Sequence, residues 1–203
     1  MRRDWEPETT AFRKRTQAIL WPLFRILWGL RVYGLEHIPE DGPLIVAGNH
    51  NANVDGPLLG VATGLARRFC LPLTKIEIFR VPVAGWFLTK VGTIPLDRRG
   101  DVQALRQAIE WVEGGHGLII FPEGTRSRTG VPGKAKAGAG FLASRTGAPV
   151  VPVRIEGTRA WPFTRGLRIT FGPPLRFEEK DADREACLRF SQTALDRVLS
   201  LPA

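Results

Sequence analysis

Cysteine is nearly absent: Cys70 and Cys187 are the two in a chain of 203 residues. They cannot build a disulfide scaffold, they do not form a CxxC pair, and nothing about them demands an oxidising compartment. The three histidines are equally scattered, so zinc-ligand spacing is missing and no metal site is expected. Acidic residues are in deficit, 20 Asp+Glu against 29 Lys+Arg, a net charge of +9. Such a surplus favours polyanionic partners: nucleic acid, anionic lipid or phosphorylated substrates. The cations are not interleaved with aromatics as in a recognised nucleic-acid module, so nucleic acid is not the expected partner. No apolar run reaches the ~20 residues that cross a bilayer. Familiar catalytic devices are missing too. There is no G-x-S-x-G elbow and no G-x-G-x-x-G, and Gly130 to Lys134 lacks P-loop spacing. The balance of 43% hydrophobic and 24% charged residues is that of a globular domain, neither disordered nor collagenous.

The longest apolar stretch runs from Ala18 to Leu30 and holds a single charge, Arg25. It follows Arg13-Lys14-Arg15. Asp4, Glu6 and Glu8 interrupt the basic start and no small-residue cleavage site follows, unlike a signal peptide. Two tryptophans and a phenylalanine beside a basic flank suit a helix lying in a membrane interface. The same pattern suits a helix packed on the domain's own core. Pro22 predicts a break or kink.

From Val32 onward, strand and helix signals alternate, which makes the fold class α/β. Short buried strands are expected at Pro43–Gly48, Phe69–Leu73, Gly92–Leu96, Gly117–Phe121, Pro149–Ile155 and Leu167–Phe171. Helices are expected at Leu58–Leu65, after the N-cap Asp101 as far as Gly114-Gly115, at Ala135–Thr146 and at Glu178–Leu199. Cys70 reads as a small buried hydrophobe, Cys187 as inert, His37 and His116 as structural, and Trp86, Trp111 and Trp161 as core residues.

Two polar constellations follow strands, where α/β folds place their sites. In Asn49-His50-Asn51-Ala52-Asn53-Val54-Asp55, a carboxylate on one ring nitrogen of His50 leaves the other nitrogen free to act as a base. Such a dyad needs no protein serine if the substrate brings the hydroxyl. In Phe121-Pro122-Glu123-Gly124-Thr125-Arg126-Ser127, the glycine allows close backbone approach and the arginine can grip phosphate bidentately. A third strand ends in Leu96-Asp97-Arg98. Each pattern alone also fits a solvated turn.

Taken in order, these segments resemble the glycerolipid acyltransferase family, of the 1-acylglycerol-3-phosphate acyltransferase type. Its N-H-x-x-x-x-D motif matches Asn49, His50 and Asp55, and its second motif matches Leu96-Asp97-Arg98. Its F-P-E-G-T-R-S motif matches Phe121 to Ser127 at every position, and its proline-centred strand matches Val151-Pro152-Val153. Lys75 before Pro82…Gly85-Trp86, and Lys136-Ala137-Gly138, also fit. Pro95 stands where the family usually carries a strand-forming aliphatic residue. The resemblance covers roughly residues 35–175.

The resemblance implies a single α/β domain, a central mixed sheet flanked by helices, at residues 32–203. Residues 1–31 would form an N-terminal amphipathic, interfacial segment that docks on the membrane. It implies acyl transfer from acyl-CoA or acyl carrier protein to the sn-2 hydroxyl of 1-acylglycerol-3-phosphate, giving phosphatidic acid, without a cofactor. His50 would act as base and Asp55 as its orienting partner. Arg126, Arg98 and Lys75 would hold the acceptor phosphate, and Glu123 would steady Arg126 or bond the glycerol hydroxyl. Gly124 and Thr125 would line the substrate site, with amides near Gly124 as candidate oxyanion donors. The expected partners are lysophospholipid, acyl thioester and an anionic membrane surface, at the cytoplasmic face of the membrane. A different lysolipid acceptor, or a non-catalytic peripheral lipid binder, are the alternative readings.

Overall fold

A computed structural model describes residues 6–96, 102–127, 133–179 and 182–202. The chain opens with helix α1 (Glu6–Trp28) and strands β1 (Arg31–Tyr33) and β2 (Leu44–Gly48), followed by α2 (Asp55–Leu65) and β3 (Leu71–Lys75). Next come α3 (Ile76–Phe79), α4 (Pro82–Val91), β4 (Ile94–Leu96), α5 (Val102–Glu113) and β5 (Gly117–Ile120). It closes with α6 (Gly138–Thr146), β6 (Val150–Glu156), β7 (Arg168–Phe171) and α7 (Arg184–Ser200).

The strands form one sheet in the order β1-β7-β6-β2-β5-β3-β4. All neighbours are parallel except β6 and β7, so the sheet is mixed. Strand β2 is buried at all five positions because both sheet faces are covered. Leu44 and Val46 face one core, with Leu58 and Leu59 of α2 and Phe24 of α1. Ile45 and Ala47 face the other, with Ala108 and Val112 of α5, Leu142 of α6 and Ala194 of α7. The period of two along a strand divides one apolar run between two cores.

Several boundaries differ from expectation for identifiable reasons. Helix α7 starts at Arg184 rather than Glu178, because Asp183 caps it: its Oδ1 accepts from the Ala186 N–H at 2.7 Å. Helix α2 starts three residues early, at Asp55. Strand β1 and the α3–α4 pair carried too little periodicity to be anticipated. Gly85 makes that pair possible, since a Cβ there would collide with the Phe79 carbonyl. Pro95 is tolerated because β4 is the sheet's last strand and has only one neighbour, β3. Asp101, the expected N-cap of α5, lies outside the described residues.

Helix α1 runs unbroken through Pro22. The missing N–H strands the Ala18 carbonyl, but both residues are exposed, where water can take the bond. The helix divides its apolar residues between two sides. Phe24 is buried, and Leu20, Trp21 and Trp28 pack against the same core. Arg13 also turns inward: its Nε donates to the Val91 carbonyl at 2.7 Å and its guanidinium lies over the Trp111 ring. Ile19, Leu23, Ile26 and Leu27, at helical spacing, remain 42–75% exposed. Residues 6–31 are thus packed against the sheet domain, with one apolar stripe facing out. Among the described residues no helix is long and apolar enough to cross a membrane.

Two of the tryptophans read as core are not. Trp86 on α4 is 57% exposed and Trp161 is 37% exposed. Trp111 is partly buried, its indole donating to the Gly117 carbonyl at 3.1 Å and stacking on His116.

Candidate active site

Strands β2, β3, β4, β5 and β6 are parallel, so their C-terminal ends share one edge of the sheet. Asn49 fixes the end of β2 to β6. Its Nδ2 donates to the Ile155 carbonyl at 2.9 Å, and its Oδ1 accepts from the Ile155 N–H at 2.8 Å. His50 follows directly. Its Nδ1 lies 2.9 Å from Asp55 Oδ2. A carboxylate can only accept, so Nδ1 carries the proton and Nε2 is the ring's basic nitrogen. Asp55 is fully buried at the first turn of α2, where the helix dipole favours negative charge. The same Oδ2 also accepts from the Asn51 and Ala52 N–H groups, at 2.6 and 2.7 Å. One oxygen therefore takes three donors and cannot swing away. The imidazole lies flat on the Phe121 ring, centroids 4.0 Å apart and planes 12° apart.

The loop after β5 is sewn to this dyad. The His50 N–H donates to Glu123 Oε1 at 3.2 Å, and the Ser127 N–H donates to the His50 carbonyl at 2.9 Å. Glu123 is buried, and its other oxygen accepts from the Gly133 N–H at 2.8 Å. Its carboxylate thus ties the β2–α2 turn to two points of the β5–α6 connection through backbone amides. Gly124 has φ +70° and sits against Lys136, whose side chain a Cβ would meet at 2.9 Å. The Gly124 N–H closes a turn on the Phe121 carbonyl at 2.8 Å and is not free to serve as an oxyanion donor.

A cavity of about 1370 Å³ opens at this edge. His50, Gly124, Thr125, Arg126 and Lys75 all line it, so the structure brings together most of the residues singled out in the sequence. Asp55 stands behind His50, and Arg98 lies outside the described residues. Three further cations line the cavity, Arg13, Lys136 and Arg159. Lys136 was legible only as a neighbour of the third motif. Arg159 had no local signal; it arrives because β6 ends beside β2. The inner wall is apolar, with Leu20 of α1, Val61, Leu71, Phe87, Leu88 and Ile119. Cys70 lines it too, and burial pushes its thiol up to about 12, opposed by its hydrogen bond with Thr63 and by Arg68. The geometry supplies a fixed basic nitrogen in the wall of a cavity lined by both apolar side chains and cations.

The acyltransferase family profile matches residues 29–156, more than half of the chain, and the chain belongs to that family. Among its relatives is the 1-acyl-sn-glycerol-3-phosphate acyltransferase of Bacillus subtilis, 32% identical over 72% of this chain and 74% of the relative. That of Pseudomonas aeruginosa is 31% identical over 78% and 64%. The chloroplastic 1-acyl-sn-glycerol-3-phosphate acyltransferase BAT2 of Brassica napus is 38% identical over 63% of this chain, which spans only 37% of the plant protein. The crystal structure of the 1-acyl-sn-glycerophosphate acyltransferase PlsC from Thermotoga maritima superposes with a TM-score of 0.67 at 27% identity, over 100% of this chain and 86% of that one.

Proposed function

We propose that this chain transfers a fatty acyl group from an acyl thioester, carried by CoA or by acyl carrier protein, to the sn-2 hydroxyl of 1-acylglycerol-3-phosphate, yielding phosphatidic acid. The observation that carries the reading is the His50–Asp55 dyad beside a cavity lined by apolar side chains and by cations. The acceptor oxygen attacks the thioester carbonyl while its proton passes to His50 Nε2. Asp55 stabilises the resulting imidazolium. Collapse of the tetrahedral adduct breaks the C–S bond, and the imidazolium returns the proton to the leaving thiolate. Lys75, Arg126, Lys136 and Arg159 suit the acceptor phosphate by charge and place, with Arg98 the expected fifth member. Glu123 acts here by holding the loops rather than by gripping glycerol.

Substrates of this kind reside in membranes. The outer stripe of α1 is the proposed dock, with Lys14, Arg15 and Arg25 toward anionic headgroups at the cytoplasmic face. Arg13, Trp21 and Phe24 lie instead on the side of α1 that packs on the domain. The reading is tested by presenting acyl-CoA and acyl carrier protein thioesters with a panel of lysolipids and resolving products by mass. Phosphatidic acid is expected as the main product, with His50→Ala slower by about 10²–10⁴. A folded His50→Ala variant retaining a tenth of the rate refutes the mechanism.

A further inference from the structure

The turn between β6 and β7 carries one large side chain that the fold leaves almost wholly outside it. Phe163 is 95% exposed, and Trp161 beside it is also exposed. The turn is held firmly. The Phe163 N–H donates to the Ala160 carbonyl at 2.8 Å and the Gly166 N–H to the Trp28 carbonyl at 2.8 Å. The Trp28 indole donates to the Pro162 carbonyl at 2.8 Å, and the Trp28 and Trp161 rings are 5.8 Å apart. Phe163 is therefore presented by a braced turn joined to the end of α1.

Its place follows from the topology. Strand β6 runs parallel to β2, so this turn leaves the sheet at the edge where β2 delivers His50. Arg159, two residues before Trp161, lines the cavity. The exposed Ile26 and Leu27 end α1 beside the same turn. The charge is one-sided. From Thr9 to Leu35 there are five Lys/Arg and no acid, and from Gly157 to Phe177 four Arg and no acid. A second copy of this chain would set these like charges against each other, whereas an anionic leaflet complements them.

We infer that the Trp161–Arg165 turn is a second membrane-insertion point, with Phe163 entering the boundary between headgroups and acyl chains of an anionic leaflet. The inference rests on the docking of α1 proposed above and adds to it. One helix lying in an interface can roll about its axis. A second contact off that axis fixes the roll, so that the cavity mouth faces the leaflet. Trp161 suits the interfacial depth that tryptophan prefers.

The test uses the full chain with Phe163→Cys carrying a nitrobenzoxadiazole label, and in parallel Leu23→Cys on α1. Cys70 and Cys187 are buried, so labelling is confined to the new thiol. Both probes are expected to shift to the blue and brighten on vesicles of phosphatidylcholine with phosphatidylglycerol. Unlabelled Phe163→Glu should lower vesicle partitioning roughly ten- to hundredfold, the value of one large apolar side chain. A shift at Leu23 alone overturns this inference and leaves α1 docking in place. A shift at Phe163 alone overturns α1 docking and with it the second contact inferred here, and silence at both probes does the same. If Phe163→Glu changes self-association without lipid and leaves partitioning intact, the patch is a protein contact and the inference falls.

Discussion

Asp55→Asn separates what the Asp55 charge contributes from what its geometry contributes. In other His–carboxylate sites such a change can invert the tautomer, because the new amide turns its NH2 toward the imidazole. Here it cannot turn freely. The oxygen facing His50 Nδ1 also accepts the Asn51 and Ala52 N–H groups at 2.6 and 2.7 Å. Those backbone donors are fixed, so the amide must place its carbonyl there and its NH2 at the Oδ1 position. The tautomer survives and only the negative charge is lost. A hydrogen bond to a charged group contributes about 1.5–3 kcal/mol against 0.5–1.5 for a neutral one. Removing a unit charge about 4 Å away costs up to ~4 kcal/mol at an effective dielectric near 20. The expected loss is therefore about 1.5–4 kcal/mol of transition-state stabilisation, roughly ten- to a thousandfold in kcat. Oδ1 is buried and has no hydrogen-bond partner among the described residues. An NH2 placed there meets no acceptor, so about 1–3 kcal/mol of stability should be lost as well. Thiol release from acyl-CoA gives the rate, circular dichroism the fold, and 15N chemical shifts of the imidazole the tautomer. A proton found on Nε2, with a loss beyond about 10⁴, would refute the argument from the backbone donors. An unchanged rate would remove Asp55 from catalysis.

Glu123→Gln should lower the melting temperature and kcat while leaving the acceptor KM nearly unchanged, because one of two backbone N–H groups would face an NH2; a rise in KM alone would return Glu123 to acceptor binding. Arg126→Ala, at an exposed cavity-lining position, should raise the KM for a phosphorylated acceptor by about 1.5–3 kcal/mol, roughly ten- to a hundredfold, and spare thioester hydrolysis by water; equal losses would argue against a phosphate grip. Cys70 supplies a pH signature. Burial raises its thiol from 9.0 to about 12, so above about pH 9 the unfolded chain releases a proton that the folded chain keeps. Its contribution is complete below that pH and declines by up to ~1.4 kcal/mol per unit toward pH 12. Denaturant titrations of wild type and Cys70→Ala should therefore converge as pH rises over this window, and parallel curves would show that the thiol ionises in the folded state.

Much of this molecule is decided locally. The apolar runs of β2, β5 and β6 define strands because each must fill a core on both faces of the sheet. His50 and Asp55 meet because the turn between them ends in a helix that begins at Asp55, so five residues suffice to close the pair. The order of the motifs along the chain carries the family. Other features depend on contacts across the fold, which no local period encodes. Glu123 looks like a partner for Arg126 in sequence, yet the backbone amides of His50 and Gly133 each bond one of its oxygens. Arg159 joins the cavity because β6 lies beside β2, a neighbour relation spanning over a hundred residues. Helix α1 is apolar nearly all round from Ala18 onward, so its sequence does not say which side faces in. Only docking against the rest of the domain sends Phe24 and Trp21 to the core and leaves Ile19, Leu23, Ile26 and Leu27 outside. Phe163 stands out for the same reason: an apolar residue's exposure depends on what the tertiary structure places over it.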